Sequence, residues 1–218
     1  MVLDCRDPAT RGPSIDEAVH AVARGELVVL PTDTVYGVGA DAFTPAAVGR
    51  VLAAKGRGRQ MPPPVLIGHE RTLDGLAVDV PAEVRALAEA FWPGGLTVIC
   101  RAQPSLTWDL GETRGTVALR MPADDCALAL LRRTGPLAVS SANRTGRPAA
   151  RSVAEAQEQL GTAVAVYLDG GTTAGGVAST IVDGTGPAPR VVRPGALDLP
   201  TLRGVVPGLL GPEEATDP

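Results

Sequence analysis

Short apolar runs alternate along this chain with segments of helical periodicity, and this alternation constrains the fold more than any other feature. Ile15, Ala18, Val19 and Val22 have the i, i+3, i+4, i+7 spacing that is typical of one buried helix face. The consecutive apolar residues 27–30 follow closely, and a short run of this kind indicates a strand buried on both faces. Because the pattern recurs along most of the chain, we expect helices that pack against a sheet.

The repeated pattern predicts an α/β layered fold. We expect a twisted mixed β-sheet of about seven strands with about five helices packed on it. The sheet should be mixed because several connections are too short to hold the crossover helix that parallel neighbours require. Ser14 and Ser152 each precede a glutamate by three residues, a capping box that predicts a helix start at each serine.

Length and composition favour one cytoplasmic domain. The 218 residues are 44% hydrophobic and suit a single domain over 1–218, with a core at about 14–197. The tail, 198–218, should hold one short helix before a frayed polar end. The three cysteines are far apart, which argues against a disulfide framework. The first residues do not resemble a signal peptide, and no apolar run approaches the roughly 20 residues that span a bilayer, so we expect no membrane segment.

The distribution of charge points to a small anionic ligand. The net charge is −4, which is unlike a protein whose whole surface binds nucleic acid. Residues 42–69 nevertheless contain no acidic residue and include Arg50, Lys55, Arg57 and Arg59. A local positive stretch in an acidic chain indicates a polyanion smaller than a duplex.

Two polar clusters each have two open interpretations. Lys55 is the only lysine and Asn143 the only asparagine of the chain. Lys55 and Arg57, at a predicted helix end, are either cations that pair with the helix terminus or a point charge and a fork that converge on phosphate. Ser141 and Asn143, directly after a predicted strand, form either an ordinary turn or a ligand-facing loop at the strand's carboxyl end.

Other motifs carry less information. Residues 37–42 loosely match a dinucleotide fingerprint but lack the acidic residue expected about 20 positions later. Lys55 does not have the glycine spacing of a Walker loop. His20 and His69 have no partner cluster, so we expect both to be structural. We expect no metal ligands from the protein, since no cluster with metal-ligand spacing stands out.

A set of short segments, taken in chain order, is similar to the threonylcarbamoyl-AMP synthase family, whose shared domain is called YrdC-like. Each segment is common alone, but their order is specific, and they extend over nearly the whole core. The matching segments are Pro31-Thr32-Asp33-Thr34-Val35-Tyr36-Gly37, Lys55-Gly56-Arg57, Trp92-Pro93-Gly94, Val117-Ala118-Leu119-Arg120, Ser141-Ala142-Asn143, Ser179-Thr180-Ile181-Val182-Asp183 and Arg193-Pro194-Gly195.

The resemblance implies a YrdC-like fold around a deep positive cavity and L-threonylcarbamoyladenylate synthase activity, a nucleotidyltransferase reaction. L-Threonine, bicarbonate and ATP would yield threonylcarbamoyl-AMP and pyrophosphate. ATP would be a substrate, with Mg²⁺ carried by its phosphates. The product would feed the t6A37 modification of tRNA, which implies a functional link to the tRNA threonylcarbamoyl-transfer machinery and allows a direct contact with tRNA or double-stranded RNA.

The resemblance also implies residue roles. Thr34, Arg120 and Ser179 would bind threonine, with Arg120 on its carboxylate. The nucleotide and its phosphates would be held by Lys55, Arg57, Thr116, Ser141, Asn143 and Arg193. Lys55 and Arg57 would be the catalytic pair.

Departures from the family pattern leave alternatives open. Gly95 replaces a usual proline, Leu66 stands where some members have a histidine, and the extra C-terminal domain of longer members is expected to be missing. One alternative is a double-stranded RNA-binding module without synthase activity, although only 3% of residues are aromatic and available for stacking. A carbamoyl-transfer role and a sugar-phosphate lyase are further alternatives; they would require partner domains and an acidic metal cluster, respectively.

Overall fold

All strands of the described chain belong to one sheet. The computed structural model describes residues 1–173 and 176–214. In chain order the strands are β1 (Val2–Asp4), β2 (Val28–Leu30), β3 (Gly37–Asp41), β4 (Val65–Leu66), β5 (Ala77–Val78), β6 (Leu96–Ala102), β7 (Thr116–Arg120), β8 (Leu137–Ser141), β9 (Val166–Asp169), β10 (Thr180–Asp183) and β11 (Arg190–Arg193).

The sheet mixes parallel and antiparallel neighbours, which confirms the predicted fold class. Its strands lie in the order β1-β9-β2-β3-β8-β4-β7-β6-β10-β11, and β5 pairs with β6 outside this path. Strands β1 and β2 run parallel to β9, as do β4 to β7 and β6 to β10. The predicted count is wrong, because eleven strands occur among the described residues. Strands β1 and β5, which the prediction missed, are too short to show a periodicity.

The helices surround this sheet. They are α1 (Gly12–Ala23), α2 (Pro45–Lys55), α3 (Thr72–Leu76), α4 (Ala82–Phe91), α5 (Asp125–Thr134), α6 (Val153–Leu160) and α7 (Leu199–Arg203). Of the helices in the described part of the chain, none is long and apolar enough to cross a membrane.

The two predicted capping boxes have different outcomes. Helix α6 starts as predicted, because Ser152 Oγ accepts a 3.3 Å hydrogen bond from the backbone N–H of Glu155. The prediction for α1 is wrong, since this helix begins at Gly12. Ser14 Oγ instead donates to the carbonyl oxygen of Asp4 at 2.6 Å, which ties the helix to the end of β1.

Three apolar clusters hold the helices on the sheet. Helices α1 and α5 share one cluster, which includes Ile15 and Leu130. Helices α2 and α6 share a second, which includes Val51 and Ala156. The third lies under α4 and extends to Leu202 of α7. Burial of these faces removes apolar surface from water and is the main stabilising contribution to the fold.

Packing continues beyond residue 197. The predicted short helix of the tail is α7, and Leu202, Val206 and Leu209 are all buried in the third cluster. A backbone bridge joins Arg190 to Leu210, so this segment also extends the edge of the sheet. Residues 215–218, at the predicted frayed end, lie outside the described residues.

The glycines of the loose dinucleotide motif have a packing role. Gly37 and Gly39 lie in β3, antiparallel to β8, rather than in a turn before a helix. A Cβ at either position would be 2.6 Å from a methyl carbon of Val139. Glycine at these two positions of β3 therefore leaves space for the side chain of Val139 in β8. The dinucleotide interpretation does not apply.

Candidate active site

A cavity of about 330 Å³ opens on one face of the sheet, over strands β3, β8, β4, β7, β6 and β10. The alternation of side chains along a strand explains its lining. In β6, Thr97 and Ile99 face the cavity, whereas Leu96 and Val98 face the apolar core. The volume lies in the range that is typical of small-molecule sites.

Most of the side chains that the sequence singled out line this cavity. They are Thr34, Arg57, Thr116, Arg120, Ser141, Ser179 and Arg193. The other two, Lys55 and Asn143, are buried behind the cavity wall. There Lys55 contacts both Asn143 and Ser141. The fold thus brings together polar residues from widely separated parts of the chain.

The ammonium of Lys55 lies inside the turn that follows β8. It donates to the carbonyl oxygens of Ser141 and Asn143, the latter at 2.7 Å, and lies 3.1 Å from Asn143 Oδ1. Lys55 is only 1% exposed, and burial, followed by the nearby charge of Arg57, lowers its pKa to about 7. These partners are 86 and 88 positions away, so Lys55 is not a cation that pairs with its own helix terminus.

Arg57 and Arg193 bring positive charge to the cavity. Arg57 donates to Thr145 Oγ1 at 3.1 Å and to Ser140 Oγ at 3.2 Å. Arg193 donates through its Nε and NH2 groups to the carbonyl oxygen of Ser179. Burial lowers the pKa of both guanidiniums, and the charges of Arg120 and Arg57 lower that of Arg193 further. The acceptors of these hydrogen bonds are neutral oxygens. The positive charge of both guanidiniums therefore stays uncompensated by these contacts and is available to an anionic ligand.

Arg120, at the end of β7, is held from three sides. Its Nε donates to the carbonyl oxygen of Gly94 at 2.9 Å, one terminal nitrogen to Thr34 Oγ1 at 2.9 Å, and the other to Asp33 Oδ1 at 2.6 Å. The same Asp33 oxygen accepts from the backbone N–H of Ala123. Burial lowers the pKa of Arg120, and Asp33 opposes this shift. A guanidinium has five N–H groups, so two remain for a ligand.

Several polar residues of the site were not predicted, and three of them contact predicted residues or each other at the amino-acid end. Asp33 pairs with Arg120, Thr32 Oγ1 lies 3.0 Å from Thr34 Oγ1, and Thr97 Oγ1 lies 2.7 Å from Ser179 Oγ. Asp33 and Thr32 were within a matching segment, and their polar character in a buried loop was the available signal. Thr97, a single hydroxyl within the apolar run 96–100, also departs from its surroundings.

The arrangement has two chemical ends. Hydroxyl groups of Thr34, Thr97 and Ser179 lie near the guanidinium of Arg120 or Arg193, which suits a small polar ligand with an anionic group. Arg57, with Ser140 and Ser141, forms a second polar wall. A ligand with two differently charged parts could therefore be oriented in one cavity.

Known proteins share this sequence pattern and this architecture. The Sua5/YciO/YrdC family model, which bears the description telomere recombination, matches residues 20–195. The chain belongs to this family. The resemblance identified from the sequence is therefore confirmed.

Three members of the family are informative relatives. A Mycobacterium tuberculosis protein, provisionally named as a threonylcarbamoyl-AMP synthase, is 53% identical over 193 residues, which are 88% of this chain and 89% of that protein. A Pyrococcus abyssi threonylcarbamoyl-AMP synthase is 38% identical over 190 residues, 87% of this chain and 56% of that protein. The structure of P. abyssi Sua5 complexed with L-threonine has a TM-score of 0.91 and 35% identity, and the match covers 97% of this chain and 62% of that one.

These comparisons confirm the YrdC-like fold. This chain spans somewhat more than half the length of the Pyrococcus relative. Leu66, which departs from the histidine that the resemblance placed here in some members, lies in β4 and lines the cavity. This part of the wall of the Sua5/YciO/YrdC cavity is thus apolar in this chain.

Proposed function

We propose that this chain is an L-threonylcarbamoyladenylate synthase, a nucleotidyltransferase that forms threonylcarbamoyl-AMP and pyrophosphate from L-threonine, bicarbonate and ATP. The observation that carries the proposal is the joint presence, in one cavity, of the hydroxyl-lined end near Arg120 and of the cationic groups Arg57 and Arg193. The relatives named as synthases and the threonine complex of P. abyssi Sua5 support it.

The reaction asks the protein mainly to position its substrates. The amine nitrogen of threonine forms a bond to the carbon of bicarbonate, a C–O bond of bicarbonate breaks, and the hydroxide leaves with the amine proton as water, which gives a carbamate. A carbamate oxygen then forms a bond to the α-phosphorus of ATP, while the bond from that phosphorus to the leaving pyrophosphate oxygen breaks. Binding both substrates side by side makes this step effectively unimolecular, and fixed cations stabilise the charge on the departing phosphates.

Each wall of the cavity has a role in this proposal. Arg120, Thr34 and Ser179 bind the amino acid, and the two remaining N–H groups of Arg120 suit its carboxylate. The nucleotide is held by Arg57, Arg193, Thr116 and Ser141, and Mg²⁺ arrives as part of the ATP complex. Lys55 and Asn143 hold the end of β8, where Ser141 lies, together with the turn that follows, and act on the nucleotide through Ser141.

The product also suggests partners. Threonylcarbamoyl-AMP is a reactive mixed anhydride, so an enzyme that transfers its acyl group to tRNA must consume it. The positive stretch 42–69 leaves room for a direct RNA contact, which would weaken steeply as the salt concentration rises.

Pyrophosphate release tests the proposal. The chain, incubated with ATP, Mg²⁺, bicarbonate and L-threonine, should release pyrophosphate at a rate that depends on both threonine and bicarbonate. Arg120→Ala should raise the KM for threonine at least 10-fold and leave the affinity for ATP within about twofold, since a hydrogen bond to a charged group contributes about 1.5–3 kcal/mol. Arg85→Ala, which removes an exposed ion pair with Asp74, is the matched control and should change neither. Release that continues undiminished without threonine in bicarbonate-free buffer would overturn the proposal.

A further inference from the structure

Two hydroxyl groups and one guanidinium form a short hydrogen-bonded chain at the amino-acid end of the cavity. Arg193 NH2 donates to Ser179 Oγ at 3.0 Å, and Ser179 Oγ lies 2.7 Å from Thr97 Oγ1. Thr97 is 1% exposed, lies on β6 and faces the cavity, and β6 is the parallel neighbour of β10, which Ser179 precedes. Thr97 is therefore a buried polar side chain on the wall of the ligand site.

The donors and acceptors of these two hydroxyl groups can be counted. The two hydroxyls together have two protons and four lone pairs. Arg193 uses one lone pair of Ser179, and the bond between the hydroxyls uses one proton and one lone pair. One hydroxyl proton therefore has no acceptor among the described residues, and it lies at the wall of the cavity. A buried donor of this kind is costly unless a ligand or water accepts from it.

The charge of Arg193 determines which of the two hydroxyl groups donates to the other. Because Ser179 Oγ accepts from a cation, its own O–H bond is polarised and becomes a better donor, which favours donation from Ser179 to Thr97. The remaining proton then belongs to Thr97, which faces the cavity. The uncompensated charge of Arg193 lies one hydroxyl away from this proton, so its natural partner is an anionic oxygen.

We propose that Thr97 is a further substrate-binding residue, which donates the last hydrogen bond of the chain Arg193–Ser179–Thr97 to an anionic oxygen of the bound amino acid. This inference rests on the proposed function for the identity of the ligand. It adds to the amino-acid end of the site a contact from β6, a strand from which the sequence predicted no site residue.

The neighbouring Thr180 shows what a purely structural hydroxyl looks like in the same region. It is fully buried, and its Oγ1 donates to the carbonyl oxygen of Leu197 at 2.7 Å and accepts from the N–H of Leu197 at 2.9 Å. Its side chain thus ties β10 to the segment before α7, and it does not line the cavity. Thr180→Val is therefore a matched control for the loss of a buried threonine hydroxyl.

Calorimetric titration with L-threonine, and separately with ATP, tests the inference. Thr97→Val should weaken threonine binding about 10-fold or more and leave ATP binding within about twofold, because the lost bond joins a neutral donor to a charged acceptor. Thr97→Ser keeps the hydroxyl and should bind threonine within about threefold of the wild-type protein. Thr180→Val should lower the melting temperature and leave threonine affinity unchanged.

Two outcomes would overturn the inference. Threonine binding by Thr97→Val at wild-type strength would show that the hydroxyl makes no substrate contact. Equal weakening in Thr97→Val and in Thr97→Ser, which keeps the hydroxyl, would show that the effect does not come from the hydroxyl group. A failure of the proposed function would appear differently, as a wild-type protein that releases no pyrophosphate in response to threonine.

Discussion

The carboxylate of Asp33 accepts a 2.6 Å hydrogen bond from the guanidinium of Arg120, and both side chains are largely buried, at 19% and 8% exposure. The pair fixes Arg120 against the loop that follows β2. It also compensates part of the positive charge of the cavity, so that the uncompensated guanidiniums are those of Arg57 and Arg193.

Removal of Asp33 should be far more costly than removal of a comparable exposed partner. Asp33→Ala leaves Arg120 buried without its counter-ion, and loss of one member of a buried pair costs about 3–5 kcal/mol. Asp109 forms a bidentate pair with Arg59, but these side chains are 41% and 60% exposed. Asp109→Ala should therefore lower the free energy of unfolding by about 1 kcal/mol or less. Urea denaturation measures the free energy of unfolding of both variants. Equal losses in Asp33→Ala and Asp109→Ala would contradict the assignment of Asp33 as the buried counter-ion of Arg120.

The stability of the chain should rise with pH because of Lys55. Its pKa is about 7 in the folded chain and about 10.5 when unfolded, so between these values the unfolded chain binds the additional proton. The free energy of unfolding then increases with pH, by at most about 1.4 kcal/mol per unit from this group.

Lys55→Met isolates this contribution, since methionine has a similar length and no charge. Urea titrations at two pH values, one just above neutrality and one near 10, should show a larger gain for the wild-type chain than for Lys55→Met. An identical pH dependence in both proteins would show that Lys55 keeps an ordinary pKa.

Gly195 should be essential for the position of Ser179. A Cβ at Gly195 would lie 2.5 Å from the carbonyl carbon of Ser179 and 2.6 Å from its oxygen, so Gly195→Ala must displace the start of β10. We expect a loss of about 1–3 kcal/mol in the free energy of unfolding, as for overpacking, together with a raised KM for threonine. Gly208→Ala, where a Cβ would meet no atom within 4 Å, should be neutral in melting and turnover assays. A normal KM in Gly195→Ala would separate Ser179 from the amino-acid site.

Serine should be a weaker substrate than threonine. The cavity wall also contains the apolar side chains of Leu66, Ile99 and Ile181, and an apolar wall can pack against the threonine methyl group. One methyl group in a pocket gives discrimination of roughly 10- to 200-fold. Values of kcat/KM from pyrophosphate release with each amino acid measure the ratio, and equal values would contradict this packing.

Local pattern was sufficient for the fold class, whereas the resemblance to the family supplied most of the predicted site residues that line the cavity. Helix periodicity, turn residues and short apolar runs depend on neighbouring positions, so α2, α5 and the central strands could be predicted. The strand order could not, because β6 and β10 become neighbours although some eighty positions separate Thr97 from Ser179. Short elements such as β5 have no pattern of their own, and their pairing with longer strands determines them.

The site, too, depends partly on local sequence and partly on contacts between distant segments. Lys55 could be singled out as the only lysine, but its position inside the turn after β8 depends on contacts between distant segments. The sequence marked Asp33, Thr32 and Thr97 only as polar residues in apolar surroundings, and their contacts in the site depend on partners that lie elsewhere in the chain. A hydroxyl in a strand is ordinary until the neighbouring strand brings a second hydroxyl within 2.7 Å.

The walls of the cavity come from residues as far apart in sequence as Thr32 and Arg193. No contiguous fragment of the chain can therefore carry the site, and a ligand that fills it recognises only the completed sheet. Such a ligand shifts the folding equilibrium of the whole molecule, by about 2.7 kcal/mol at one hundred times its Kd. The concentration of substrate in the cell would thus influence how long each protein molecule survives proteolysis, as well as the rate of its reaction.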